Sequence, residues 1–255
     1  MQEKQFNTSY SETEVKQKSY IKQSLFGSAM MWFAIDLIFA FLFTFAVIKI
    51  PNAIDTLYNQ GNITIAWLVT SAILLIIGLF VFNRMRRKLN ITGTILLSFF
   101  LMSIISLILI IPAFKFTIGI FTLSQIILIF LIPAFFMFLA GFLATFNFFK
   151  SKFFYIMIIF LVVALIITSL VSWFVFNKLL YIAISVLGTL VTLSYMILDF
   201  IYLSRLNEEI KNIQNQDLKR KEILVNGIYI GFHFAYDYII MVLYLIRFLE
   251  LFWNN

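Results

Sequence analysis

Seven membrane-spanning α-helices, with no sizeable soluble domain, are the architecture this sequence predicts, and three observations predict it. Of the 255 residues 62% are hydrophobic and only 12% charged, a balance that no water-soluble domain of this size hides in one core. Apolar runs of about 20 residues, the length that crosses a bilayer as a helix, recur along the chain. The bases gather in alternate connections between those runs.

The first 24 residues are polar and of mixed charge, and read as a short disordered cytoplasmic tail without a cleavable signal. Residues 25–255 then form the transmembrane domain. Hydropathy places its spans near 26–49, 63–82, 91–112, 122–148, 153–176, 179–203 and 227–251. Backbone groups in hydrocarbon must bond within their own segment, and no period-two pattern suggests a barrel, so the spans are helices. Pro51 and Pro112 fall at predicted helix ends, while Pro133 lies inside the fourth span and is expected to kink it.

Charge sets the topology. With the N-terminus inside, the inner segments hold Lys4, Lys16, Lys18 and Lys22; Arg84, Arg86, Arg87 and Lys88; Lys150 and Lys152; and Arg205, Lys211, Lys219, Arg220 and Lys221. The outer segments hold Lys49, Lys115, Lys178 and Arg247. Fifteen of nineteen bases thus obey the positive-inside rule. Trp67, Trp173 and Trp253 fall near the predicted outer interface, and the C-terminus is expected outside. Heavy use of Phe, Ile, Lys and Asn points to an AT-rich coding sequence and a bacterial plasma membrane.

The formal charge of +7 sits in short loops beside apolar helices, where orientation in the lipid bilayer explains it and nucleic acid does not. The absence of cysteine excludes disulfides, thiolate metal sites and cysteine catalysis. With one histidine and no Ser/His/Asp spacing, HExxH run or phosphate-cradling glycine loop, no enzyme is expected. A retinal-type photoreceptor needs a lysine in the last helix, and none lies between Asn226 and Asn255.

Ionisable residues within the spans carry the functional reading, because a carboxylate at membrane depth is costly to keep. Helical rise places Asp199 roughly 6 Å, and Asp36 and Asp237 roughly 15 Å, from the inner helix ends. A cytoplasmic loop joins the sixth and seventh helices, so Asp199 and Asp237 can meet. Two carboxylates meeting in a poorly hydrated site would share a proton and titrate as a pair, which makes a pH switch. The plainer alternative is that each bonds a neighbour; Tyr195 is four residues before Asp199 and on its face. His233 and Asp237 also share a face, allowing an Asp-oriented imidazole, a proton relay or half of a metal site. Asp36 either faces the same cavity or bonds a packing helix. The run Asn83-Arg84-Met85-Arg86-Arg87-Lys88 closes the second helix, as a lipid anchor or with one arginine turned inward to pair with Asp199. Arg247 and Glu250, three apart, are expected to form a local ion pair.

In the sixth helix, S-V-L-G-T-L from Ser185 leads through Tyr195 to Asp199 and Arg205. The last helix reads A-Y-D-Y-I-I-M-V-L-Y-L-I-R-F-L-E around Asp237. Together with the basic run after the second helix, these stretches resemble the transmembrane Bax inhibitor motif (Bax inhibitor-1-like) family. The resemblance implies a central seventh helix wrapped by the other six. It also implies a calcium leak pathway, with Ca²⁺ as the permeant ion and protons as the gating ligand at the pair. Asp199 and Asp237 would then touch Ca²⁺ weakly, and Arg86, with Arg84 the alternative, would latch onto Asp199. Two acids without an oxygen cage suit transit rather than storage. Ile240 replaces the polar residue usual after the last-helix aspartate, and His233 and Asp36 are not expected to be ionisable positions in the family. The alternative function is a non-conducting scaffold or regulator that binds a quality-control protease or another membrane protein.

Overall fold

The computed structural model describes residues 24–59, 62–117, 121–145, 151–175 and 177–253. The predicted tail, with Lys4, Lys16, Lys18 and Lys22, lies outside these apart from Ser24, as does Lys150.

Among the described residues seven long apolar helices make up the bundle. α1 is Leu25–Lys49 and α2 is Asn62–Arg87, joined through a short helix at Ala53–Tyr58. α3 begins at Ile91–Ile105, passes through a π-helical turn at Ser106–Ile110 and continues as Ile111–Thr117. α4 is Leu123–Thr145, α5 Ser151–Phe174, α6 Lys178–Lys211 and α7 Gln216–Trp253.

α7 is the axis. It packs against α1, α2, α3, α4 and α6, whereas α5 packs along α6. Of the most apolar stretch of α7, 67% is buried inside the bundle, against 11% for α5. The wrapping is therefore by five helices directly, with α5 as an outer member. Close approach of α1 and α7 comes from a Gly-x-x-x-Gly pair. A methyl group built on Gly227 would lie 2.1 Å from Ser28 Oγ, and one on Gly231 would lie 2.7 Å from Phe33 N and 2.8 Å from Ala29 O. Lipid tails are as apolar as leucine, so helices in a bilayer associate through this kind of intimate backbone packing.

Three boundaries differ from the hydropathy reading. α2 carries its bases within its last turn, ending at Arg87 rather than near 82. α6 and α7 run beyond the apolar stretch, so the expected loop of residues 204–226 shrinks to residues 212–215. Hydropathy registers immersion in lipid, while helix formation continues wherever the backbone bonds can close. Asn215 starts α7 by accepting from Asp217 N and Leu218 N at 3.0 and 3.1 Å, and Lys219 Nζ reaches back to the Lys211 carbonyl at 3.0 Å. Pro112 lies within the helical extension of α3, directly after the π turn. Proline lacks the N–H and crowds the carbonyl four residues back, and the widened turn absorbs both defects. Pro51 does follow a helix end, and α4 is one continuous helix through Pro133.

The α2–α3 connection is three residues long. Asn90 N donates to the Met85 carbonyl and Leu89 N to that of Arg86, at 3.2 and 2.9 Å, while Leu89 takes φ 51°. That is a Schellman ending with leucine where glycine is usual. Asn90 then caps α3, accepting from Gly93 N at 3.0 Å.

Candidate functional site

Near the end of the bundle where α1 begins and α2 ends, α2, α6 and α7 bring ionisable and aromatic side chains together. Asp199 and Asp237 lie near enough to act on each other electrostatically. Asp237 is 7% exposed, and its Oδ2 is buried without a hydrogen-bond partner. An unmet buried oxygen costs about 1–3 kcal/mol or more.

Arg86 does not ion-pair with Asp199. Its Nη1 donates to the Tyr202 hydroxyl at 2.7 Å, and its guanidinium lies over the Tyr229 ring, 4.2 Å from the centroid. Asp199, Arg86, Arg87 and Tyr202 are all electrostatic neighbours of Tyr229, so the acid and the guanidinium share one cluster. Planar, weakly hydrated guanidinium stacks on aromatic faces at little cost, which suits a partly dry seat. Arg84, the alternative, is exposed. Phe82 lies beneath Tyr229 at 5.3 Å between ring centroids and meets Phe232 edge-on at 5.1 Å, fixing the tyrosine.

His233 does not bond Asp237, although the two share a helical face. Its ring packs on Tyr229 at 4.5 Å and edge-on against Phe232 at 5.8 Å, and Arg86 is its charged neighbour. Tyr195 is 44% exposed and, like Tyr244 and Asp237, an electrostatic neighbour of Tyr236. Gly188, from the S-V-L-G-T-L run, makes room for the Tyr244 ring: a Cβ there would lie 2.2 Å from it.

Asp36 occupies a different place. It is fully buried between α1 and α3, and Ser98 Oγ lies 3.0 Å from both of its carboxylate oxygens. It acts on neither member of the α6–α7 pair, so it is a helix-packing partner and not a third acid of the same cavity. Arg247 and Glu250 form no ion pair, despite their spacing. Among the described residues no three acidic or histidine side chains cluster as metal ligands.

Two cavities flank the axis. One of about 70 Å³ is walled by apolar side chains of α1, α3, α4 and α7, including Phe41, Phe130 and Ile239. The other, about 560 Å³, opens between α1, α4 and α6 over Phe200 and Tyr238. Neither has Asp199 or Asp237 in its wall.

Sequence reasoning passes over Tyr202, Tyr229 and the Gly227/Gly231 pair. The glycine spacing is the signal that finds the last of these; the tyrosines have none, since their role depends on where α2 ends. The sequence matches no protein-family model and no curated protein.

Proposed function

We propose that the chain is a pH-sensitive calcium leak channel of the plasma membrane, similar in mechanism to the Bax inhibitor-1-like proteins its sixth and seventh helices resemble. Its N-terminus is cytoplasmic and its C-terminus outside. The observation that supports the reading is the buried, unpartnered Oδ2 of Asp237, with Asp199 near enough to act on it electrostatically. Two acids that act on each other in a dry site resist double ionisation, so a proton shared between them would hold the site shut against cations. Its loss leaves net negative charge that draws Ca²⁺. Arg86, seated on Tyr202 and Tyr229 beside Asp199, is the cation that compensates this charge when it swings inward.

The experiment is Ca²⁺ uptake into liposomes holding the purified chain. Uptake is expected to depend on pH in the wild type and to lose that dependence in Asp237→Asn. Equal, pH-dependent uptake by both would remove the pair from the mechanism, and no uptake by the wild type would remove the channel.

The scaffold reading draws on a separate observation. α6 and α7 extend past the apolar stretch as a helical hairpin carrying Lys211, Lys219, Arg220 and Lys221 beside Glu208, Glu209, Asp217 and Glu222, a mixed-charge surface on which Lys211 already pairs with Glu208 and the adjacent bases 219–221 are the part suited to an acidic partner. Co-purification of a membrane protein that is lost when these bases are replaced, together with absent flux, would favour it.

A further inference from the structure

The interface of α1 with α3 holds polar groups that the calcium reading does not use. From the α2–α3 turn outward, the Thr94 hydroxyl donates to the Asn90 carbonyl at 2.7 Å, and one turn on the Ser98 hydroxyl meets Asp36. Two turns further, the Ser106 hydroxyl reaches the carbonyls of Met102 and Ala40 at 2.8 and 3.2 Å. Asp36, Ala40 and Thr44 form the buried face of α1 here; Thr44 is 2% exposed and its hydroxyl has no partner. At the far end the π turn presents the Leu107 carbonyl to the Tyr58 hydroxyl. Asn90 to Leu107 covers about 25 Å of helix, most of a hydrocarbon layer roughly 30 Å thick.

We propose that α1 and α3 enclose a proton-transfer path with Asp36 as its ionisable stop, separate from the Asp199–Asp237 site. A proton from water at one face reaches an Asp36 oxygen, and a proton leaves from Asp36 towards the other face. Only O–H bonds form and break, and water molecules bridge the interval between Ser98 and Ser106. The ion is a proton because one carboxylate among hydroxyls and carbonyls offers too few oxygens to replace the hydration shell of a metal cation; Asp36, Ala40, Thr94, Ser98 and Ser106 are all fully buried. No charged side chain holds Asp36 in one state. α3 has no ionisable residue between Ile91 and Ile110. Asp199 of α6 and His233 and Asp237 of α7 act on one another or on Arg86, and Ser98 is the polar group acting on Asp36. Hydroxyls between membrane helices also serve as packing glue. Glue alone predicts lost stability without proton movement, and it does not account for the unpartnered Thr44.

The test uses the full chain in liposomes with an entrapped pH dye, a potassium diffusion potential and a calcium chelator, so the result does not depend on calcium conduction. Wild-type protein is expected to admit protons faster than protein-free liposomes. Asp36→Asn should fall to the protein-free rate, Asp36→Glu should retain flux, and Ser98→Ala should slow it. Should Asp36→Asn fail to fold, Ser98→Ala against wild type carries the comparison. Wild-type flux no faster than protein-free liposomes would overturn the proposal. So would wild-type rates in Asp36→Asn or Ser98→Ala, or a flux abolished by Asp237→Asn, since the proton would then travel through the α6–α7 pair.

Discussion

Replacing Gly231 by alanine tests how α7 is held at the centre. The new methyl carbon would stand 2.6 Å from Trp32 Cβ, 2.7 Å from Phe33 N and 2.8 Å from Ala29 O. Ordinary contact begins near 3.5 Å, so three atoms are each too close by roughly 0.7–0.9 Å. Two are backbone atoms of α1 and cannot rotate aside, so the helices must part by a similar distance. A gap of that size forfeits about a quarter to a half of each contact along the seam, and overpacking of this kind costs about 1–3 kcal/mol. Alanine returns up to about 1 kcal/mol of helix propensity, so the upper end of the overpacking cost leaves a net loss of about 2 kcal/mol. Gly27→Ala is the control: its methyl meets Ser24 Oγ alone, at 3.0 Å and exposed, so propensity should leave it neutral or slightly stabilised. Reversible unfolding in mixed micelles, followed by helical circular dichroism, measures both. If Gly231→Ala proves as stable as wild type, the close-packed crossing is not what fixes the axis.

Leu89→Gly should stabilise the protein by about 1 kcal/mol, because leucine holds φ 51° at a position glycine occupies without strain; a loss in the same assay would contradict this. A double-mutant cycle between Arg86→Gln and Tyr202→Phe should give a coupling of about 1 kcal/mol, and strict additivity would mean that the 2.7 Å bond contributes nothing. Burial pushes the Tyr58 phenol, in the short helix outside the spans, up to about 12. Since the folded value exceeds the usual 10, the folded state retains this proton longer, and stability should be level below pH 10 and fall between pH 10 and 12. Tyr58→Phe should flatten that fall, and an unchanged slope would assign it elsewhere.

The spans are legible in the sequence because lipid imposes one requirement everywhere: about 20 apolar residues with closed backbone bonds. That Asp199 and Asp237 act on each other is legible only in part: the connection between antiparallel helices keeps both acids towards one end of the bundle, but at different distances from the turn. Other features depend on facts that hydropathy does not contain. α6 and α7 outlast their apolar stretches because Asn215 and Lys219 close the turn between them, and charged residues form helices as readily as apolar ones. The seat of Arg86 requires that α2 remain helical to Arg87, which sets the guanidinium against Tyr202 and Tyr229 instead of a carboxylate. The π turn arises from Pro112 lying inside a helix rather than at its end, and only the packed neighbours decide that. The i, i+4 spacing of His233 and Asp237 gives a shared face but not a bond, because the imidazole has aromatic rings to lie on.

The outer position of α5 bears on how the protein meets bilayers of different thickness. Its ridge of large apolar side chains is turned outward, with Phe160 72% and Ile159 62% exposed, and its protein contact runs along α6. When hydrophobic length and membrane thickness disagree, helices tilt, and the tilt is taken up where neighbours resist least. Here that is α5, which can lean against α6 while the glycine-locked crossing keeps α1 and α7 at a fixed angle. A change in bilayer thickness is therefore expected to move the fifth span before it moves the inner helices that hold the carboxylates.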